Sequence, residues 1–324
     1  MSRISVLGAG GWGMALAIAA AARHEVLIWS PFEEEISHLK ANRTNQRLLK
    51  DAVLPDSIKL TTDINEINSS DITVIATPSF AVRETAKRLK NINTGIVTIV
   101  AKGFEKESLL RLSEVVKQEL PFSTVTTLSG PSHAEEVAKN MPTMLTAVSE
   151  ERTAALAVQG AFSNEFLRVY TGDDIIGVEL GGALKNIIAI AAGVCDGIGL
   201  GDNSKAALIT RGLNEMTKLG VKMGAKAQTF AGLTGMGDLI VTCTSSHSRN
   251  NRFGYLVGSG TPVEEALRQV GTVEGYYASL MANKLSQQYG VEMPICEVCY
   301  QMLYEGLPVE ESVKKLMTRP FKDE

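Results

Sequence analysis

The fold of this chain is decided by Ile4-Ser5-Val6-Leu7-Gly8-Ala9-Gly10-Gly11-Trp12-Gly13, an apolar run that leads into the pattern G-x-G-x-x-G. A helical run follows at 14–18. Strand, glycine turn and helix in this order form a site for a dinucleotide pyrophosphate. Gly8 allows the tight turn, Gly10 lets the backbone approach the phosphates, and Gly13 lets the helix pack close to the strand. The start of the helix supplies free N–H groups and the positive end of its dipole.

Short apolar runs without polar alternation continue through the first half of the chain. Such runs are typical of parallel strands that are covered on both faces. They lie at 25–29, 72–76, 96–101, 124–128, 143–148 and 166–170, and helical patterns such as 81–89 and 108–119 separate them. We therefore predict an α/β fold, with a Rossmann-type doubly wound, mostly parallel sheet over residues 1–172.

From residue 173 to 324 the pattern is almost exclusively helical and predicts a second, all-helical domain without a flexible linker. The segments lie at about 174–194, 204–223, 226–242, 250–258, 262–270, 275–289, 294–305 and 309–317. Thr261-Pro262-Val263-Glu264 predicts a capping box with proline at the first helical position. Pro294 and Pro308 are predicted to open later helices in the same way.

Length and composition limit the classes of function. A chain of 324 residues suits two domains, and 44% hydrophobic with 21% charged residues is typical of a soluble globular protein. A net charge of −4 gives no reason to expect nucleic-acid binding. The apolar stretch at 175–198 carries Glu179, Lys185, Asn186 and Asp196, so we expect no membrane insertion. The alanine-rich N-terminus contains the glycine motif, so we interpret it as part of the fold of a cytoplasmic protein and not as a signal peptide.

The four cysteines predict neither a disulfide framework nor a metal site. Cys296 and Cys299 form a C-x-x-C pair in an apolar helical pattern, but no second pair or nearby histidine completes a zinc set. We interpret both as buried packing thiols.

Candidate site residues follow the inner strands, because ligands bind beyond the carboxyl ends of parallel strands. Ser79, Lys102 and the stretch Ser129-Gly130-Pro131-Ser132 each come directly after a predicted strand. Lys102 is a cation at the expected crevice. Ser132 and Ala134 open a predicted helix, where their N–H groups could hold oxygen atoms.

Lys185 is a candidate acid or base in the helical half. It lies between Gly181-Gly182-Ala183-Leu184 and Asn186-Ile187-Ile188-Ala189. The small residues allow another backbone or a ligand to approach, and the apolar ones would lower the pKa of the ammonium from about 10.4 by desolvation. A lysine that extends its charged head into water remains the alternative.

A third candidate region combines hydroxyl, amide and guanidinium groups at a helix start, in Ser248-Arg249-Asn250. Such groups can hold a phosphate or carboxylate, although a solvated capping loop has the same composition. Upstream, Gly235-Met236-Gly237-Asp238 places a carboxylate in a tight turn that could bind substrate hydroxyls or orient a lysine.

Taken together, these motifs resemble the bacterial NAD(P)-dependent glycerol-3-phosphate dehydrogenase family. The resemblance spans the chain in order. It rests on the glycine motif at 8–13 and on segments at 101–103, 129–132, 179–186, 235–238, 248–250 and 273–276.

The resemblance implies a homodimeric cytosolic enzyme that reduces dihydroxyacetone phosphate to sn-glycerol 3-phosphate, the backbone precursor of phospholipids. It implies that Lys185 is the catalytic acid/base and that residues 173–324 form the substrate-binding and catalytic domain. The implied substrate contacts are Lys102, Gly130, Ser132, Lys185, Asp238, Ser248, Arg249 and Asn250. The coenzyme contacts expected from the glycine motif and the resemblance are Gly8, Gly10, Gly11, Trp12, Gly13, Pro31, Lys102, Ala134, Arg249, Val273 and Glu274.

The second strand departs from the usual fingerprint, because it ends in Trp29-Ser30-Pro31 without an acid for the ribose 2′-hydroxyl of NAD. No arginine stands there for the 2′-phosphate of NADP either. The missing acid favours NADP over NAD, whereas Glu33, Glu34 and Glu35 act against NADP.

Two other functions fit parts of the pattern. A related two-domain dehydrogenase could act on a hydroxy acid or a sugar-nucleotide alcohol, but the anion-binding residues around Arg249 argue against it. A non-catalytic sensor of NAD(H) would need the first glycine loop, but not Lys185, Asp238 and Arg249 together.

Overall fold

An eight-stranded sheet forms the first half of the chain in the computed structural model, which describes residues 1–321. The strands are β1 (Arg3–Leu7), β2 (Glu25–Trp29), β3 (Lys59–Thr61), β4 (Ile72–Ile75), β5 (Ile96–Ile99), β6 (Val125–Ser129), β7 (Thr143–Ser149) and β8 (Leu167–Gly172). Their order across the sheet is β3-β2-β1-β4-β5-β6-β7-β8. All neighbours are parallel except β6 and β7, which confirms a mostly parallel sheet.

The chain reverses its direction of travel across the sheet between β1 and β4. Leu7 at the end of β1 is in register with Trp29 of β2 on one side and Ile75 of β4 on the other. In doubly wound sheets the ligand crevice lies at this point, beyond the carboxyl ends of the strands. The glycine motif begins directly after Leu7 and therefore lies at the crevice.

Helices cover both faces of this sheet. They are α1 (Gly11–Ala21), α2 (Glu33–Asn42), α3 (Val82–Arg88), α4 (Leu112–Glu119), α5 (Ala134–Ala138) and α6 (Arg152–Phe162). Alternate β1 side chains enter different apolar clusters: Val6 belongs to the cluster with Leu16 of α1, and Leu7 to the cluster with Val115 of α4. This two-sided burial explains why the strands are continuously apolar.

The second half is helical, as expected. It contains α7 (Ile175–Gly197), α8 (Asp202–Lys222), α9 (Ala227–Phe230), α10 (Asp238–Thr244), α11 (Arg249–Gly258), α12 (Val263–Val270), α13 (Glu274–Tyr289), α14 (Pro294–Tyr304) and α15 (Val309–Met317). The chain divides into two compact units, Met1–Glu179 and Leu180–Glu324. The predicted domain boundary at 172/173 coincides with the end of β8, and the division into units falls inside α7.

Several local predictions were wrong. The single helix expected over 226–242 is interrupted by a π-helical turn at Leu233–Gly237, where glycines break the regular pattern. The helix expected from 108 begins at Leu112. No capping box forms at α12, because Pro262 itself is the N-cap and has no side-chain donor or acceptor; Pro308 is likewise the N-cap of α15. Pro294 does open α14 as predicted.

One described helix, α7, is long and apolar enough to cross a membrane. Its most apolar window is 89% buried within the protein, as expected of a core helix. Cys296 and Cys299 are free and buried, and burial raises the pKa of both thiols, which agrees with a packing role.

Candidate active site

The glycine turn after β1 has the geometry of a pyrophosphate cradle. Gly8 has φ +114°, which only glycine adopts without strain, and its N–H donates to the Trp29 carbonyl (2.8 Å). A Cβ on Gly13 would collide with the Gly8 carbonyl, so Gly13 allows the close approach of α1 to the strand. A Cβ on Gly10 would meet nothing within 4 Å, which leaves open space at the helix start. The turn therefore fits a dinucleotide.

Helix α1 directs unpaired N–H groups into this space. The Met14 N–H donates to the Gly10 carbonyl (2.9 Å), so the N–H groups of residues 10–13 have no acceptor within the helix. Trp12 packs partly buried against the apolar core. Ala134 begins α5 beside this turn, and its Cβ would lie 3.7 Å from a Cβ on Gly11. The structure thus brings Ala134 to the glycine motif. Ser132, which we also expected to open this helix, precedes α5 and is not part of the helix.

The end of β2 lies next to a negatively charged side chain, unlike the glycine turn with its free N–H groups. Ser30 is buried, and its hydroxyl donates to the carboxylate of Glu35 in the first turn of α2. Its N–H donates to the Thr61 carbonyl (3.2 Å). Pro31 follows and is exposed. Pro31, which we expected at the adenine-ribose end, therefore directly follows the serine that holds the Glu35 carboxylate.

Lys102, Gly130 and Ser132 are brought together, as the rule for strand ends predicted. The Lys102 ammonium donates to the Gly130 carbonyl (3.0 Å) and to the Ser132 hydroxyl (3.4 Å), which itself donates to the Gly130 carbonyl (2.9 Å). β5 and β6 are neighbours, so residues that follow them lie at the same edge. The cluster presents a partly buried cation next to hydroxyl and backbone groups.

Lys185 forms a buried cluster with Asp238 and Thr242. The residue is 5% exposed, its ammonium is ion-paired with the Asp238 carboxylate, and it donates to the Thr242 hydroxyl (2.7 Å). Thr242 in turn donates to the Asp238 carbonyl (2.6 Å), so its oxygen faces Lys185 as an acceptor. The water-exposed alternative for Lys185 is therefore excluded. The expectation of desolvation considered apolar neighbours only, whereas the structure also places a carboxylate against the ammonium.

The small residues of α7 explain how Asp238 reaches Lys185. A Cβ on Gly181 would lie 2.6 Å from the Thr234 carbonyl, so the π-helical turn packs directly on the backbone of α7. That turn leads into α10, which begins at Asp238. Of the two expectations for the small residues before Lys185, a close backbone or a ligand, the backbone is therefore the one found at Gly181. This contact places the Asp238 carboxylate beside Lys185.

The start of α11 has the geometry of an anion site. Ser248 is the N-cap, and its hydroxyl accepts from the Asn251 N–H (3.2 Å). The N–H groups of Arg249 and Asn250 have no acceptor within the helix. The Arg249 side chain is exposed, and within residues 1–321 its guanidinium forms no ion pair or hydrogen bond. These donors could hold a phosphate.

The amide of Asn250 is used within the protein. Its Nδ2 donates to the Asn186 Oδ1 (2.9 Å), and its Oδ1 accepts from the Gly275 N–H (2.8 Å). Val273 and Glu274 directly precede Gly275 at the start of α13; the Val273 side chain is buried in the apolar core of the helical unit. The turn at 273–275 is thereby tied to α7 beside Lys185.

Sequence reasoning missed the roles of two residues, and one link between residues, that shape these clusters. Thr242 lies one helical turn after Asp238, and the i,i+4 spacing could have identified it. Asn186 carried no signal of its own beyond being next to Lys185. The link between Ser30 and Glu35 depends on how α2 starts. Within the described part of the chain, no group of three or more His, Cys, Asp or Glu side chains could hold a metal ion.

Comparison with known proteins gives a consistent result over the whole chain. Residues 3–155 match the family model described as the NAD-dependent glycerol-3-phosphate dehydrogenase N-terminus, and residues 174–314 match the corresponding C-terminus. The chain is 50% identical to glycerol-3-phosphate dehydrogenase [NAD(P)+] of Clostridium perfringens, covering 100% of this chain and 99% of that protein. It is 50% identical to the protein of the same name from Bacillus pumilus, with coverage of 98% and 95%. The crystal structure of glycerol-3-phosphate dehydrogenase from Coxiella burnetii superimposes with a TM-score of 0.94 at 37% identity, covering 98% of this chain and 99% of that chain.

Proposed function

The chain belongs to the NAD-dependent glycerol-3-phosphate dehydrogenase family, and we propose that Lys185 is the proton donor and acceptor of its reaction. The enzyme reduces dihydroxyacetone phosphate reversibly to sn-glycerol 3-phosphate with NADH or NADPH. This activity excludes a non-catalytic sensor. The 50% sequence identity to these dehydrogenases over nearly the full chain also argues against a hydroxy acid or a sugar-nucleotide alcohol as the substrate.

The observation that carries the proposal is the buried contact of Lys185 with Asp238 and Thr242. When bound, the nicotinamide coenzyme supplies a hydride to the ketone carbon. Lys185 donates a proton to the ketone oxygen as negative charge develops there, and in the reverse direction its amine accepts the hydroxyl proton. Asp238 pairs with the ammonium and Thr242 accepts a hydrogen bond from it, so the two residues hold the Lys185 nitrogen in place.

The phosphate of the substrate is assigned to the start of α11. Arg249 contributes its guanidinium, Ser248 caps the helix, and the backbone N–H groups of Arg249 and Asn250 are free to bind oxygen. Binding energy at the phosphate positions the ketone, so weaker binding there should reduce turnover as well as affinity.

In the first unit we assign Lys102, Gly130 and Ser132 to the substrate, with Lys102 adding positive charge that favours the developing alkoxide. The coenzyme contacts proposed for the first unit are Gly8, Gly10, Gly11, Trp12, Gly13, Pro31, Lys102 and Ala134. Those proposed for the second unit are Arg249, Val273 and Glu274. Support comes from the open cradle after Gly8, from Ala134 beside Gly11, and from the turn at 273–275 held by Asn250.

A homodimer that works in the cytoplasm and supplies phospholipid synthesis completes the proposal. It is supported by the family resemblance and by the product, a phospholipid precursor. Size-exclusion chromatography with light scattering measures the mass of the assembly. A monomer at working concentration would contradict the dimer.

The decisive experiment compares substrates in one spectrophotometric assay. Coenzyme oxidation is followed with dihydroxyacetone phosphate, with unphosphorylated dihydroxyacetone and with 2-keto acids, for the parent chain and for Lys185→Ala. We expect turnover that requires the phosphorylated ketone and is lost in the variant. Lys205→Ala is the control, because Lys205 forms an ion pair with Asp196 elsewhere in the helical unit. Near-normal turnover of Lys185→Ala would show that another group donates the proton.

A further inference from the structure

The end of β2 holds a carboxylate where doubly wound folds recognise the adenine ribose. In such folds an acid at the end of the second strand accepts a hydrogen bond from the ribose 2′-hydroxyl of NAD. Here Ser30 occupies that position, and its hydroxyl donates to the carboxylate of Glu35. Glu35 lies five residues further along, in the first turn of α2, and is only partly exposed. The acid missing from the strand end is therefore supplied from the following helix.

The same loop offers nothing that would bind a 2′-phosphate. The Ser30 N–H is used by the Thr61 carbonyl, and its hydroxyl is used by Glu35. Pro31 has no N–H and no polar side chain. The side chain of Phe32 is apolar and 67% exposed, and its N–H faces the Ser30 hydroxyl at 3.4 Å. NADP requires a cation or several donors at this point, and residues 30–32 contain neither.

Further charged groups of both signs lie near the end of β2 and near the glycine turn. Glu33, on the same turn of α2 as Glu35, accepts from the Thr62 hydroxyl (3.1 Å) just after β3. The Arg88 guanidinium lies over the ring of Trp29, 5.8 Å from its centroid. Arg47 directly precedes Leu48, whose carbonyl faces Gly11 at the pyrophosphate cradle, and Lys50 follows two residues after Leu48.

We propose that Glu35 makes this enzyme prefer NADH to NADPH. The inference rests on the coenzyme site proposed above and reverses the preference for NADP expected from the missing acid at the strand end. The 2′-phosphate of NADPH would bring a charge of about −1.5 to −2 next to a carboxylate that Ser30 holds in place. Because Glu35 is partly exposed, salt should screen this repulsion.

The test compares catalytic efficiency with NADH and NADPH, using dihydroxyacetone phosphate, for the parent chain and for Glu35→Gln. Glutamine keeps an oxygen that accepts from Ser30 but removes the charge. We expect the parent to favour NADH roughly tenfold or more, and Glu35→Gln to reduce that ratio at least about fivefold through a lower KM for NADPH. Rising salt should improve NADPH use by the parent more than by the variant.

Glu34→Gln is the matched control. Glu34 is adjacent and exposed, so its variant has the same net charge as Glu35→Gln. Its NADH to NADPH ratio should stay within about twofold of the parent. An equal change in both variants would show that overall charge, and not Glu35, sets the ratio, and would overturn the proposal. A parent chain that prefers NADPH would also overturn it and direct attention to Arg47.

A binding measurement separates this inference from the proposed catalytic function. Titration of NADH and NADPH against the intrinsic fluorescence of the full chain needs no substrate. Tighter binding of NADH than of NADPH, with the difference lost in Glu35→Gln, would support the inference even if triose phosphate were not reduced. Equal binding of both coenzymes by the parent chain would refute the inference while leaving the proton-transfer role of Lys185 intact.

Discussion

The amide of Asn250 donates to the amide oxygen of Asn186 over 2.9 Å. Asn186 is the neighbour of Lys185 on α7, and Asn250 also accepts from the Gly275 N–H, at 2.8 Å. Gly275 lies so close to α7 that a Cβ there would be 2.5 Å from the Asn186 carbonyl. One side chain thus joins the start of α11, the start of α13 and the helix that carries Lys185.

Asn250→Ala should therefore impair the turn that we assign to the coenzyme. It keeps the backbone N–H proposed to bind phosphate, but it removes the donor to the Asn186 Oδ1 and the acceptor of the Gly275 N–H. We expect the KM for NADH to rise about tenfold, with a smaller rise for dihydroxyacetone phosphate. Steady-state kinetics measure both. Asn251→Ala is the control, since that amide bonds the Cys243 carbonyl (3.0 Å). If the KM for the triose phosphate rose alone, the Asn250 side chain would be a substrate ligand.

Lys185→Arg tests proton transfer separately from charge. Arginine keeps a cation beside Asp238, but its guanidinium does not release a proton at working pH. Turnover should fall about 10²- to 10⁴-fold while the dissociation constant of NADH stays nearly unchanged. Stopped-flow kinetics and coenzyme titration give the two numbers. Retained turnover would mean that the charge of Lys185 matters and its proton does not.

Arg249→Ala should weaken binding of the substrate phosphate. Loss of charge-assisted hydrogen bonds to a phosphate costs about 2–3 kcal/mol, which raises the KM for dihydroxyacetone phosphate roughly 30- to 150-fold. With the coenzyme at saturation, slow reduction of unphosphorylated dihydroxyacetone should be unaffected, because that substrate makes no such bonds. Arg252→Ala, one turn along α11, serves as the control. A KM that stayed at the parent value would place the phosphate elsewhere.

Glu179→Gln should destabilise the fold of the first unit. The buried Glu179 is paired with Arg111 (2.8 Å) and accepts from the Ser113 N–H (2.7 Å) at the start of α4. Burial raises the pKa of Glu179, against the opposing effect of Arg111. Removing one partner of a buried ion pair costs about 3 kcal/mol. Glu114 also pairs with Arg111 (3.0 Å) but is 42% exposed, so Glu114→Gln should cost less than about 1 kcal/mol in denaturant unfolding. Equal losses for the two variants would contradict the buried role of Glu179.

Glu215 should make stability depend on pH. Burial raises the pKa of Glu215 from 4.5 to about 7, although its carboxylate accepts from the N–H groups of Ile295 (2.8 Å) and Cys296 (3.2 Å) at the start of α14. The folded state therefore holds this proton more tightly than the unfolded state. Its contribution is complete below about pH 4.5 and is lost as pH rises through about 7.

The measurement is the free energy of unfolding between about pH 5 and 8. Glu215→Gln cannot ionise, so the loss of stability over this range should be smaller than in the parent by on the order of 3 kcal/mol. Glu297→Gln, on the exposed face of α14, should keep the parent's pH profile. Identical profiles for the parent and Glu215→Gln would rule out this source of pH dependence.

Local patterns along the chain were sufficient to predict most of the sheet and the candidate coenzyme loop. Seven of the eight strands have a short apolar run, because strands covered on both faces need apolar side chains throughout. Lys59–Thr61 was missed, since a strand of three residues that includes lysine and threonine carries no periodic signal. The meeting of Lys102 with Gly130 and Ser132 could be predicted from the strand-end rule alone.

The amino-acid sequence by itself determined the elements, the glycine cradle and the residue types available for chemistry, because each depends on neighbours within a few residues. Apart from the residues that follow neighbouring strands, only the tertiary structure decided which groups meet. Lys185 and Asp238 are 53 positions apart, Asn186 and Asn250 are 64, and Arg111 and Glu179 are 68. Such pairs form where helices pack, and packing depends on backbone contacts such as that of Gly181 with Thr234, which no local periodicity records.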